Sequence, residues 1–258
     1  MSRTTDVFLS RKSMALQSRV GVKRRTLQLQ CGGVISMKTN DDLCPLLAVE
    51  RWFEPTVRRA IEGLLRPGDT MIDVGANVGY YTVLAGLLVG PSGRVLAFEP
   101  QEAVHAELER NVALNCLGNV QTWKAGLGES RHEARFYVPE SGRESLGSLR
   151  SNGRFPVAKE TTIQVLALDD VLRERGGSQV RLMKIDAEGA ELSVLRGAAQ
   201  LLESPERPYL IFEANETNTE PFGYSVYDVL SYVSSKGYKV TQLDSEDWFA
   251  APVDARIG

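Results

Sequence analysis

The sequence predicts an α/β fold, a mostly parallel sheet flanked by helices, and three observations carry that prediction. Apolar strand-like runs alternate with segments of helical period along most of the 258 residues. The stretch "MIDVGANVGYYTVLAG" (71–86) runs from an apolar strand through an aspartate and a glycine turn into a helix. The next strand-like run ends in "FEP" (98–100), so a second acid stands where a second strand stops. Glycine turns and acids at strand carboxyl ends are what an open α/β sheet offers a ligand.

The elements follow in order. Pro55 opens a helix in which Val57, Ala60, Ile61 and Leu64 share a face, and Pro67-Gly68 closes it. Thr70–Val74 reads as the first core strand. Arg94–Phe98 is the second, followed by a helix with Val104, Leu108 and Val112 at four-residue spacing. Val120–Lys124 is a third strand. Between 127 and 165 the pattern changes, with Phe136-Tyr137-Val138 and Thr162–Leu166 as short strands around "SGRESLGSLRSNGR"; this reads as an inserted hairpin and loop. Parallel order resumes at Arg181–Ile185, backed by one helix that carries Leu192, Leu195, Ala199 and Leu202 on one side. Tyr209–Phe212 comes next. Ser225 with Asp228 three residues on resembles a capping box before a helix marked by Val226, Val229, Leu230 and Val233, and Tyr238–Leu243 follows.

With 43% hydrophobic and 24% charged residues, the chain can bury one sizeable core. The expected organisation is an N-terminal extension of strands and helix (1–55), then one domain (56–258) with an insertion at 127–165. A net charge of -3 gives no electrostatic reason to bind nucleic acid, and the run Arg19, Lys23, Arg24, Arg25 reads as a solvated edge. Cys31, Cys44 and Cys116 are dispersed, which suggests neither a disulfide framework nor a zinc site and fits a reducing cytoplasm. Neither a leader nor a membrane span of about 18 apolar residues is expected. A homodimer is left open, since no heptad or apolar stripe argues for one.

The glycine turn could serve a nicotinamide, a nucleotide or S-adenosylmethionine. A dinucleotide turn wants G-x-G-x-x-G, whereas the order here is Asp73-x-Gly75-x-x-x-Gly79 with Asn77 in the middle, and no Gly-Lys-Ser/Thr marks a phosphate loop. A ligand with a carboxylate and an ammonium fits better: Asp73 can take the ammonium and the helix N-terminus the carboxylate. Glu99, at the end of the second strand, is placed to accept the two hydroxyls of a ribose.

At these residues the chain resembles the FkbM-type S-adenosylmethionine-dependent methyltransferases. The resemblance rests on "DVGANVGYYT" (73–82), "FEPQ" (98–101), "NVALN" (111–115), "LALDDVL" (166–172) and above all "LMKIDAEGAELSVLRGA" (182–198), and it runs from about Pro67 to about Val240. It implies a class I methyltransferase with a Rossmann-like, mostly parallel seven-stranded sheet, acting on hydroxyls of sugars or polyketide-like compounds. By that similarity Gly75, Asn77, Gly79 and Tyr81 line the methionine end of the cofactor, with Ala76 in the same turn. Glu99 and the adjacent Pro100 hold the ribose side, and Ala125-Gly126 lie near the adenine.

A hydroxyl acceptor needs a base or a cation during methyl transfer, because its pKa is near the roughly 15.7 of water. The candidate acids follow the last two core strands: Asp186 and Glu188 after one, Glu213 with Asn215 and Glu216 after the other. A metal-free carboxylate base is preferred; Mg²⁺ held by Asp186, Glu213 and Asn215 is the alternative. Glu191, and Glu188 beside it, also suit an ordinary helix start. Lys184 is expected to pair with an acid, His105 to be structural, His132 to sit in the insertion, and Trp123, Phe136 and Tyr137 to be core. The expected partner is a small-molecule hydroxyl acceptor, over which 1–55 and 140–155 would close. An N-methyltransferase on a small-molecule or peptide amine and a non-catalytic S-adenosylmethionine-binding protein are the rival readings.

Overall fold

The computed structural model describes residues 23–254, apart from 42, 51–52, 140–145, 152, 154–155 and 178. Arg19 and most of the loop 140–155 therefore lie outside the described residues. The chain opens with strands β1 (Arg24–Gln28) and β2 (Val34–Lys38), then helices α1 (Leu43–Glu50) and α2 (Pro55–Leu64). The core units follow: β3 (Thr70–Val74), α3 (Tyr80–Val89), β4 (Arg94–Phe98), α4 (Glu102–Leu114) and β5 (Val120–Trp123). The insertion is β6 (Gly126–Leu127), β7 (His132–Pro139) and β8 (Val157–Leu166). Then come α5 (Leu168–Glu174), β9 (Leu182–Ile185), α6 (Glu191–Arg196), α7 (Ala199–Glu203), β10 (Tyr209–Glu213), α8 (Glu216–Thr219), α9 (Val226–Ser235), β11 (Tyr238–Gln242) and β12 (Asp247–Pro252).

Seven strands form the central sheet in the order β11-β12-β10-β9-β3-β4-β5. All neighbours from β10 to β5 pair in parallel, whereas β12 runs antiparallel to both β10 and β11. Strand β12 escapes the periodicity reading because "DWFAAP" is short and follows a turn rather than a helix. Alternation along each strand splits the core into two layers. Ile72, Val74, Leu96, Phe98, Met183 and Ile185 face one layer with α5–α7 and α9. Met71, Val95, Leu182 and Ile211 face the other, with α2 and α3.

That second layer also takes in Leu27, Leu29, Ile35, Met37 and Leu47, so the β1–β2 hairpin and α1 share its apolar interior. Two asparagines of "NVALN" stitch the hairpin down: Asn111 Oδ1 accepts the Ser36 N–H at 2.8 Å, and Asn115 exchanges two bonds with Val34. Lys23, Arg24 and Arg25 are exposed, as expected of a solvated edge, and Arg24 is in addition bonded to Glu107 and to the Ser36 carbonyl.

Two expectations are corrected. The helix behind β9 is two helices, interrupted at Gly197, where a Cβ would stand 1.9 Å from the Gly128 carbonyl oxygen. The close approach of the insertion requires a glycine at that position. Insertion strands β7 and β8 are eight and ten residues long, not short, because they pair with each other over their length and close on their own small core of Phe136, Val138, Ile163 and Val165.

Candidate active site

The candidate cofactor and acid residues lie at the ends of the parallel strands or in the turns and helix starts that follow them, whereas His132 lies in the insertion and His105 on α4. After β3 the chain turns through Gly75 (φ 74°), Asn77 (φ 52°) and Gly79 (φ 93°) into α3. Gly75 is required twice over: its φ is left-handed, and a Cβ there would sit 1.7 Å from the Asp186 carbonyl oxygen. The backbone N–H groups of Gly75 and Ala76 both donate to the Phe98 carbonyl, tying the turn to the end of β4. Asn111, which the sequence reading did not single out as a site residue, supports it from beneath, donating Nδ2 to the Val78 carbonyl at 2.7 Å.

Glu99 closes the next strand. Its Oε2 accepts the Asn77 N–H at 3.0 Å and its Oε1 the Gln101 N–H at 2.9 Å, so both turns are locked to one carboxyl group. Burial raises its pKa to about 7, against the pull of those two donors. Pro100 lies 3.8 Å from where a Gly126 Cβ would be, and Ala125 is buried beside it; the structure thus brings Glu99, Pro100, Ala125 and Gly126 to one side of the crevice. Trp123 stacks on Phe98 with centroids 4.7 Å apart, and the Arg175 guanidinium lies over its ring.

A charged cluster occupies the other side. Asp73 and Lys184 are register partners on adjacent parallel strands, so both project into the face that is otherwise apolar. Asp73 is 1% exposed; its Oδ2 accepts the Thr82 hydroxyl at 2.6 Å, while Oδ1 has no partner. Lys184 is 3% exposed, pairs with Asp186 at 3.1 Å and lies 4.8 Å above the Tyr81 ring. Asp186, Asp73 and Glu54 outweigh its desolvation and hold its pKa above the ordinary lysine range. The Tyr81 hydroxyl donates to Glu54 Oε2 at 2.7 Å.

Beyond Asp186 a second set of acids meets. Glu213, at the end of β10, accepts from Asn215 Nδ2 at 2.8 Å and from Asn218 Nδ2 at 3.4 Å; Asn218 also donates to Glu188 Oε2 at 3.0 Å. Burial, then the fields of Asp186, Glu188, Glu191 and Glu246, push Glu213 up to about 10. Glu188 does not start a helix: it is left-handed (φ 49°) in the turn before α6. Glu191 does start it, and its Oε1 gathers the N–H groups of Ala187 and Gly189. Asn215 turns its amide nitrogen, not an oxygen, toward Glu213, because its Oδ1 caps α8 through the Asn218 N–H. Among the described residues no group of three or more His, Cys, Asp and Glu is arranged to hold a metal. Glu216 caps toward Val226, and His132 is exposed, its Nδ1 near the Ser130 carbonyl. Besides Asn111, which lies within "NVALN", the sequence reading left out Asn218 and Glu54. Neither belongs to a recognisable motif, and only the fold brings them in.

Comparisons with known proteins converge on one family. The "Methyltransferase FkbM domain" model matches residues 73–240. "Methyltransferase sdnD" of Sordaria araneosa is 27% identical over 205 residues, 69% of this chain and 76% of that protein. "Methyltransferase 1" of Beauveria bassiana is 33% identical over 51% of this chain and 59% of its own length. "31-O-demethyl-FK506 methyltransferase FkbM" of Streptomyces tacrolimicus is 31% identical over 55% of this chain and 63% of its own. Because the family match takes in well over half of the residues, the chain belongs to the FkbM methyltransferase family: it is an S-adenosylmethionine-dependent methyltransferase with a class I sheet.

Proposed function

We propose that the protein transfers the methyl group of S-adenosylmethionine to a hydroxyl of a sugar, glycoside or polyketide-like small molecule. The observation that carries the reading is the pair of acid groups at the ends of β9 and β10, Asp186 with Glu188 and Glu213, facing the same crevice mouth as the glycine turn. The FkbM relative, named for an O-demethylated substrate, supports the oxygen acceptor.

The residues present suit the cofactor. Asp73 Oδ1 is buried without a partner, and several carboxyl groups face a single lysine, so the pocket calls for a ligand that brings positive charge. In this reading Gly75, Ala76, Asn77, Gly79 and Tyr81 hold the methionine end, Asp73 the ammonium, Glu99 and Pro100 the ribose, and Ala125-Gly126 the adenine side. When bound, the cofactor supplies an electrophilic methyl group on a sulfonium. The protein's own task is to place the acceptor oxygen in line and receive its proton. Asp186, partly exposed and oriented by Lys184, is the base. Glu213, protonated at neutral pH, donates a hydrogen bond that fixes the acceptor, and Asn218 spaces it from Glu188. No Mg²⁺ is required in this scheme.

The test is calorimetric titration with S-adenosylmethionine and its demethylated product, with and without Mg²⁺, followed by transfer of labelled methyl to a panel of sugars, glycosides, macrolide alcohols and amines. Asp186→Asn should keep cofactor binding and lose about a hundredfold or more in turnover. Turnover confined to amines would replace the oxygen acceptor with nitrogen, and binding strictly dependent on Mg²⁺ would overturn the metal-free base.

A further inference from the structure

The family match begins at residue 73, yet the charged cluster receives one acid from well before it. Glu54 stands at the N-cap of α2 with φ 41° and ψ 74°, a left-handed conformation that a non-glycine side chain adopts at a cost. Its side chain makes no capping bond to its own helix. It turns instead to the first turn of α3, where Oε2 accepts the Tyr81 hydroxyl at 2.7 Å. Its neighbour Phe53 is fastened to the same turn: its N–H donates to the Tyr80 hydroxyl at 3.0 Å and its ring meets Tyr80 edge-on at 6.1 Å. Two tyrosines of the cofactor turn thus hold a strained residue in one place, and the Tyr81 ring that bonds Glu54 also carries Lys184 on its face.

Charge accounting gives that placement a purpose. Lys184 is the cation of this cluster, and Asp73, Asp186 and Glu54 all act on it. Its direct bond goes to Asp186, which leaves Asp73 Oδ1 buried and unpartnered and Glu54 bonded to a neutral phenol. Burial raises the pKa of both Asp73 and Glu54, so positive charge brought to them by a ligand would stabilise their ionised forms. Strain kept at one residue and an orphaned oxygen on another that acts on the same lysine are characteristic of a site completed by its ligand.

We propose that Glu54 is a cofactor-binding carboxylate, acting with Asp73 as an anionic wall for the cationic half of the cofactor's methionine moiety, with Tyr81 positioning it. The inference rests on the cofactor alone and stands whatever the acceptor proves to be. Glu54→Gln keeps the shape and an acceptor oxygen for Tyr81 while removing the charge. By calorimetry it should bind S-adenosylmethionine about tenfold or more weakly, the loss of one charge-assisted contact. Tyr81→Phe should show a smaller loss, because the charge stays and only its orientation is relaxed. The demethylated product separates the two cations: an equal loss for both compounds places Glu54 at the ammonium, and a loss larger for S-adenosylmethionine places it at the sulfonium. Glu54→Gly removes the carboxylate and also relieves the left-handed backbone, so it should melt no lower than wild type and still bind weakly. Wild-type affinity in folded Glu54→Gln or Glu54→Gly would overturn the proposal and reduce Glu54 to a fastening of α2.

Discussion

The two ends of the central sheet differ in what they do with charge. At the amino ends of the strands lies a groove of about 510 Å³ whose lining includes Arg94, Arg181 and Arg207 with Asp69, Glu206 and Asp254. Two of its arginines are engaged locally: Arg207 pairs with Asp254 at 3.1 Å and donates to the Lys236 carbonyl, though its Nε is unpartnered, and Arg181 lies over the Tyr209 ring. At the carboxyl ends several acids are buried, Asp73 Oδ1, Gln101 Oε1 and Glu191 Oε2 have no partner, and Asn77, Glu188 and Glu54 adopt left-handed backbone. A roomy groove whose arginines meet a surface acid and a ring face is a surface feature. A crevice that holds strain, orphaned oxygens and protonated acids is where chemistry belongs.

Breaking the carboxyl-end cluster should have the largest effect. Lys184→Met leaves Asp73 and Asp186 without their cation, and urea unfolding should show a loss of about 3–5 kcal/mol. Close behind, Gly75→Ala adds a methyl where the Asp186 carbonyl stands 1.7 Å away, at φ 74°; we expect about 3 kcal/mol and loss of S-adenosylmethionine binding. Gly176→Ala sharpens this, since φ is 79° but nothing lies within 4 Å, so backbone strain alone, about 1 kcal/mol, remains.

The same contrast predicts a pH dependence. Glu99 and Glu191 at about 7, Asp247 at about 8 and Glu213 at about 10 keep protons in the fold that the unfolded chain releases at its ordinary carboxylate pKa. The folded state therefore binds more protons across that interval, and its stability falls as pH rises from about 5 toward about 10. Thermal melts of the ligand-free protein should give a Tm that declines over this range, and Glu213→Gln should flatten the upper half. The smallest effect belongs to the other end of the sheet: Arg94→Ala should change stability by no more than about 0.5 kcal/mol and leave cofactor affinity unaltered. A large effect there would erase the distinction between the two ends.

Much of the site was legible because it depends on local backbone requirements. The order Asp73-x-Gly75-x-x-x-Gly79 names a strand, a left-handed turn and a helix start, and the geometry at each of those residues follows from its φ. Ser225 and Asp228 form the expected capping box for the same reason: a cap is settled within four residues. Lys184 was readable as a lysine that pairs with an acid, since a charge within an apolar strand needs one.

Local pattern sufficed for the alternation of elements, the glycine turn after β3 and the acids at the strand ends, because period, glycine conformation and capping act over a few neighbouring residues. The tertiary structure alone decided which distant groups meet there. It set Asp73 beside Lys184 through strand register, brought Glu54 across 27 positions to Tyr81, and let one asparagine, Asn218, join Glu188 to Glu213. It also slipped β12 antiparallel between β10 and β11 and laid the β1–β2 hairpin on α4. Such pairings depend on burial and register between segments far apart in the chain, and no local pattern encodes them.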